Sequence, residues 1–177
     1  MSSWGYSMES EDPVLGAGIL AADRLEQANI NPTTGLATDY LNHFNEVVML
    51  LEMLPAMPDC AEDVLDWQPL DYESHFENSS FTDKQLAVIA YHAAPVALRT
   101  HLEERVAQID AAVLSAQEKL KAAADPATIA NEIAETATHV IKPLISIASG
   151  VIHGHVMPDA DSPEGDDAQA EIDALFA

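Results

Sequence analysis

The sequence predicts an all-α protein: a helical bundle containing a long antiparallel helical hairpin, with a disordered N-terminal arm and an acidic C-terminal tail ending in a short recognition helix. Three observations carry that reading. Apolar residues recur at three- and four-residue steps through most of the chain, the period of a helix with one buried face. No stretch shows the two-residue alternation of a half-buried strand. The apolar runs are separated by Pro- and Asp-containing pairs that stop one helix and start the next.

In chain order, residues 1 to 11 have no periodicity and read as a loose arm. Asp12-Pro13 is a helix-start pair, and Val14, Leu15, Ile19, Ala22 and Leu25 could share one face up to about Asn29, although Gly16 and Gly18 weaken such a helix. Asn31 to Gly35 is a turn cluster. From Thr38 to Leu54 the apolar residues cover nearly the whole circumference, which predicts a central helix stopped by Pro55. Asp59-Cys60-Ala61-Glu62 and Thr82-Asp83-Lys84-Gln85 have the form of capping boxes. The first opens a short helix carrying Val64, Leu65 and Trp67; the second opens one carrying Leu86, Ile89 and Ala90 that ends before Pro95. Between them, Asp71 to Asn78 predicts one or two turns with Tyr72 and Phe76 on one side.

Two long helices complete the bundle. Between Pro95 and Ala124, Leu98, Leu102, Val106, Ile109, Val113, Ala116 and Leu120 step by three and four. After Asp125-Pro126, Ile129, Ile133, Ala137, Val140, Leu144, Ile147 and Val151 keep the rhythm. A break this short turns the second helix back along the first, with a coiled-coil-like seam. Pro143 should kink the second helix near its middle. His153-Gly154-His155 reads as its exit. The resulting divisions are 1–35 (arm and weak helix), 36–156 (helical bundle domain) and 157–177 (acidic linker and docking peptide).

Composition bounds the function. The chain has 177 residues, 48% of them apolar, enough for one domain with a core. Thirty acidic against seven basic residues give a net charge of −23, which disfavours nucleic acid and anionic membranes and calls for a partner with a basic face. A halophilic source, with a purely structural bundle, would account for the same charge. Cys60 is the only cysteine, so there is neither an internal disulfide nor a thiolate zinc cluster. With no secretory apolar region or membrane span legible, the expected location is the cytoplasm.

The sharpest functional signal lies in residues 166–177. Ile172, Leu175 and Phe176 fall at i, i+3 and i+4 and share one helical face, behind a Pro-, Gly- and Asp-rich spacer. That is the pattern of a helix that docks in a groove. The run Gln169-Ala170-Glu171-Ile172-Asp173-Ala174-Leu175-Phe176 resembles the peptide at the start of the flagellar switch protein FliM, of the form Ser-Gln-x-Glu-Ile-Asp-Ala-Leu-Leu, and more loosely the end of the chemotaxis phosphatase CheZ. The resemblance covers about a tenth of the chain. It implies binding to a CheY-like receiver domain through Gln169, Glu171, Ile172, Asp173, Leu175 and Phe176, in a bacterial chemotaxis-type pathway. Where the family has Ser this chain has Ala168; Asp167 can cap one residue earlier, and Asp166, Asp167 and Glu171 suit the positive end of a helix.

Other constellations are weaker. CheZ is also a helical hairpin with a docking peptide, and uses an acidic residue and a Gln one turn later to orient the water that attacks the phospho-aspartate. Glu104 and Gln108 have that spacing, but they sit on the first long helix rather than the second, and acid-x-x-x-Gln is common on solvated helices. His139-Val140-Ile141-Lys142 has the His-x-x-Lys spacing of histidine phosphotransfer domains, with Pro143 where that family usually has Gly. Glu135 and His139, with His153 and His155, lack the paired Glu-x-x-His pattern of di-iron bundles, and the reading calls for no metal and no cofactor. His43 and Glu46 are the polar groups expected to be buried on the central helix. An accessory, non-enzymatic role is the first reading; a CheZ-like phosphatase or a phosphotransfer protein is the alternative. A monomer is favoured over a homodimer, because so much like charge opposes self-association.

Overall fold

The computed structural model describes residues 13–155, and every regular element in that span is helical. The predicted arm and the docking segment lie outside the described residues. No helix among those residues is long and apolar enough to cross a membrane.

The first predicted helix is shorter than expected. Gly16 and Gly18 take positive φ (92° and 60°), so the chain makes a 3-10 turn at Gly18–Leu20 before α1 (Ala22–Gln27) begins. Leu20, Leu25 and Ala28 are buried, while Val14 and Ile19 remain exposed. Helix α1 ends in a Schellman motif: Ile30 N donates to Leu25 O at 2.8 Å and Asn29 N to Glu26 O at 3.1 Å, with Asn29 in the left-handed conformation (φ 61°). The turn that follows is held by Asn31, whose Oδ1 accepts from the amides of Thr33 and Thr34. Gly35 (φ 76°) is required there, because a Cβ would lie 2.7 Å from the Ala90 carbonyl oxygen.

A 3-10 turn, Thr38–Leu41, leads into α2 (Asn42–Met53). This helix buries one face, Phe44, Val47, Val48 and Leu51, rather than its whole circumference; Met49 on the far side is 55% exposed. It is central nonetheless, packing against α3 (Ala61–Asp66), α7 (Ala130–Thr136), the π-helical turn Ala137–Ile141 and α8 (Lys142–Ile152). Helix α4 (Tyr72–Asn78) is capped by Asp71, whose carboxylate accepts from Ser74 N at 2.7 Å. Neither capping box forms at its side chains. Asp59 sits inside a 3-10 turn, Pro58–Cys60, whose backbone supplies the acceptors for the start of α3, and no side chain caps α5 (Lys84–Ala93). In α5 the buried residues are Ala87, Ala90 and Tyr91, with Leu86 and Ile89 only half-buried.

Helix α6 (Val96–Ala122) buries all seven of the apolar positions read from its periodicity, together with Gln117. Gln117 Nε2 donates to the carbonyls of Val64 and Trp67, both at 2.8 Å, and so ties α6 to the end of α3. Helix α6 packs along α8, whereas α7 packs mainly on α2.

The effect of Pro143 differs in kind from the expected kink. Proline has no N–H for the His139 carbonyl, and its ring crowds that oxygen. The helix accommodates it with the π-helical turn Ala137–Ile141, which inserts an extra residue into the repeat. Every core position beyond it moves along by one until the final turn. Ile141, Ile145 and Ala148 are buried in place of Val140, Leu144 and Ile147, leaving Val140 47% and Ile147 38% exposed. Helix α8 then exits through a second Schellman motif, His155 N to Gly150 O (2.7 Å) and Gly154 N to Val151 O (2.9 Å), with Gly154 at φ 92°. Thr34, fully buried, donates to the Ile152 carbonyl at 2.7 Å and clips the N-terminal turn onto this exit.

Candidate functional site

Helix α6 presents more than a core face. Glu103, Val106, Ala107 and Asp110 lie at i, i+3, i+4 and i+7 along one edge of it, and they face the loop Pro69–Asp71 and three tyrosines. Together they line a half-open cavity of about 290 Å³. Tyr40 comes from the 3-10 turn before α2, Tyr72 from the first turn of α4 and Tyr91 from the last turn of α5. Each tyrosine is fixed at both ends. The Tyr72 and Tyr91 rings stack at 4.3 Å, and Tyr40 meets Tyr72 edge-on at 5.1 Å. Tyr40 donates to the Leu70 carbonyl (2.8 Å), the Tyr72 oxygen accepts from Ala37 N (2.8 Å), and Tyr91 donates to the Glu103 carboxylate.

The electrostatics of the cavity are one-sided. Its lining contains Asp71, Glu103 and Asp110 and no Lys, Arg or His. Burial pushes all three phenols above their ordinary range, so they stay neutral. Burial also raises the Asp110 carboxyl from 3.8 to about 6. Its Oδ1 is enclosed and has no hydrogen-bond partner, alone in this among the buried side-chain polar atoms of the described residues. Nearby, Arg99 lies over the Tyr91 ring, 5.8 Å from its centroid.

On the other side of Tyr40 is a second polar cluster. His75 Nε2 lies 3.0 Å from Asp39 Oδ2, and the His75 ring meets Tyr40 edge-on at 5.5 Å. His43 stacks on Trp67 at 4.7 Å and donates from Nε2 to the Gln68 carbonyl at 2.7 Å, while Trp67 Nε1 donates to the His43 carbonyl. Burial lowers the His43 pKa. Among the described residues no Ser, Thr or Cys side chain hydrogen-bonds either imidazole.

The residues singled out from the sequence fall elsewhere. Glu104 and Gln108 are exposed on α6, next to the cavity edge; Arg105 Nη2 lies 3.6 Å from Glu104, and Arg105 Nη1 donates to Gln108 Oε1 at 3.0 Å. His139 is exposed on the π-helical turn, and Lys142 points to Glu52 on α2, 3.3 Å away, where the Thr138 hydroxyl also donates at 2.6 Å. The expectation for His43 and Glu46 is corrected: His43 is half-buried and satisfied, whereas Glu46 is exposed. Among the described residues the buried polar side chains are Thr34 and Gln117. Glu135, His139, His153 and His155 are all exposed, and among the described residues no three His, Cys, Asp or Glu side chains converge as a metal site would require. Gln169, Glu171, Ile172, Asp173, Leu175 and Phe176 lie outside the described residues.

Sequence reasoning missed the cavity. One signal was available: Leu102, Val106 and Asp110 step by four, which puts a carboxylate at the edge of an apolar face. Three of the four tyrosines of the chain line the cavity, but their separation in sequence hides this. No family model, curated protein or solved structure matches the chain.

Proposed function

We propose that this chain is an accessory protein of a chemotaxis-type signalling pathway that recruits a CheY-like receiver domain through Gln169–Phe176. The observation that carries this is the run Gln169-Ala170-Glu171-Ile172-Asp173-Ala174-Leu175-Phe176, with Ile172, Leu175 and Phe176 on one helical face. The net charge of −23 supports it, since a strongly acidic chain is complementary to a basic receiver face. In this reading the rest of the protein is a helical bundle built on an antiparallel hairpin of α6 with the α7–α8 segment, and serves as the platform for the tail.

Burying the three apolar side chains yields roughly 5–9 kcal/mol gross, and ordering the segment subtracts about 2–5 kcal/mol. The expected affinity is therefore micromolar or weaker. The test is titration of the full chain into receivers from the same genome, with and without a phosphoryl mimic. Binding that disappears on Ile172→Asp, or on truncation after Pro158, is expected. Failure of every receiver to bind more tightly than about millimolar refutes the proposal.

A further inference from the structure

We propose that the exposed apolar face of α8 docks the chain's own C-terminal segment, with Ile172, Leu175 and Phe176 seated on Val140, Leu144 and Ile147. The docking stands independently of the proposed function; its consequence for receiver binding rests on that reading.

The π-helical turn leaves Val140, Leu144 and Ile147 at i, i+4 and i+7 on one side of the helix, Val140 and Ile147 exposed and Leu144 half-buried. Lys142, beside the core position Ile141, reaches Glu52 on α2, so the stripe lies on the flank of α8 turned away from α2. On α6, Gln117 reaches the end of α3, and the opposite flank carries His101, Arg105 and Gln108. Helices α2 and α3 pack on each other and α6 packs along α8, so the two flanks open on the same side of the protein. An apolar strip on α8 is thereby bordered by a polar edge on α6.

Charge, spacing and reach select the tail as the occupant. Residues 136–158 contain no Asp or Glu, the longest such run in a chain of net charge −23, and they carry Lys142 and three histidines. The segment from Asp159 to Asp173 has seven acidic residues and no basic one, so this is the surface it approaches against least repulsion. Arg105 on the bordering edge is paired with Glu104, so the attraction comes from the lack of acid on α8 more than from added bases. The apolar sets also correspond: three side chains at helical spacing on the strip meet three on the tail. From His155 back to Ile147 and Val140 is about 12–23 Å along the helix. A flexible chain the length of residues 156–171 has a root-mean-square span of about 20–24 Å. A tether matched to its span gives an effective concentration on the order of millimolar. A second copy has no such proximity and brings its own charge of −23 to the face.

Receiver binding uses the same three apolar side chains, so the docked tail competes with it. The apparent affinity then falls in proportion to the undocked fraction. With a millimolar effective concentration against a local affinity of a few tenths millimolar, the reduction is about threefold or more.

The test places a nitroxide on Ala177→Cys of the full chain, where Cys60 is buried and stays unlabelled. Broadening of the amide resonances of residues 140–147 and 101–108 is expected, and it should vanish when the nitroxide is reduced. It should also be lost in Ile172→Asp/Phe176→Asp and in Val140→Gln/Ile147→Gln. Leu114→Gln, which removes an exposed apolar side chain from the other flank of α6, should leave it unchanged. Thermal melts confirm that each variant is folded. Isotope-labelled chain without nitroxide, mixed with unlabelled chain that carries it, should show no broadening. In the receiver titration, Val140→Gln/Ile147→Gln should bind about threefold or more tightly than wild type. No broadening on α8, broadening that survives either double variant, or broadening in the mixed sample, which would place the tail on a second copy, overturns the docking. A receiver that binds wild type and Val140→Gln/Ile147→Gln equally overturns the competition. If no receiver binds at all, the proposed function fails, and the broadening alone decides whether the tail docks.

Discussion

Asp110 carries a stability cost that its isosteric amide should relieve. Burial raises the carboxyl from 3.8 to about 6 in the folded chain. At neutral pH the group is ionised in both states, and a shift of that size corresponds to roughly 3 kcal/mol of destabilisation. The side chain is only half-buried, so solvent screening reduces this to about 1–2 kcal/mol. The sign follows from proton binding. Between pH 4 and pH 6 the folded state holds a proton that the unfolded chain has released, so this group's contribution to stability falls as pH rises through that window and is level above it. Asp110→Asn should therefore stabilise the protein by about 1–2 kcal/mol at pH 7, with the gain shrinking toward pH 5. The assay is urea unfolding followed by far-ultraviolet circular dichroism from pH 5 to pH 8, comparing variant and wild type at each pH so that the rest of the acidic chain cancels. A difference that does not change with pH, or a net loss of stability at pH 7, would show that Asp110 Oδ1 has a donor and refute the reasoning.

Three further perturbations test the fold. Gln117→Leu removes the donor from Trp67 O and one of the two from Val64 O, which keeps Trp67 N, and should lower unfolding free energy by about 1–3 kcal/mol with an unchanged urea slope. Gly35→Ala combines a positive φ with a Cβ 2.7 Å from the Ala90 carbonyl oxygen; a loss of about 2–4 kcal/mol is expected in the same assay, and a neutral result would contradict the close approach. Glu52 has its carboxyl held below the usual range, first by the Thr138 hydroxyl and then by Lys142. Its contribution is present above the ordinary carboxylate range and lost as pH falls through its lowered folded value, so Glu52→Gln should cost less than about 1 kcal/mol at pH 7 and approach zero in acid.

Some elements could be read from the sequence because their cause is local. The buried face of α6 follows from side chains three and four apart on a straight helix, so Leu98 through Leu120 could be assigned without knowing what they meet. The same holds for His153-Gly154-His155 as a helix exit, where the allowed φ of Gly154 decides the outcome. The capping boxes show the limit of local reading: Asp59-x-x-Glu62 has the right letters, but a 3-10 turn at Pro58–Cys60 had already provided the acceptors.

The tertiary structure decided the rest, for reasons that are not local. A proline removes one donor, and whether a helix then kinks or winds into a π-helical turn depends on which side chains the surrounding helices can bury. Here that choice put Ile141, Ile145 and Ala148 inside and left Val140 and Ile147 outside, although the two sets differ by one residue in register. The cavity depends on tertiary contacts still more. Tyr40, Tyr72, Tyr91 and Asp110 belong to four separate elements, and nothing within any of them signals the others. They meet because α4 and α5 pack on each other and because Tyr72 is anchored to Ala37 across 35 residues of chain. Helical periodicity records which side of an element is buried; it carries no record of which residues from different elements will share a cavity, since that is set by how the helices cross.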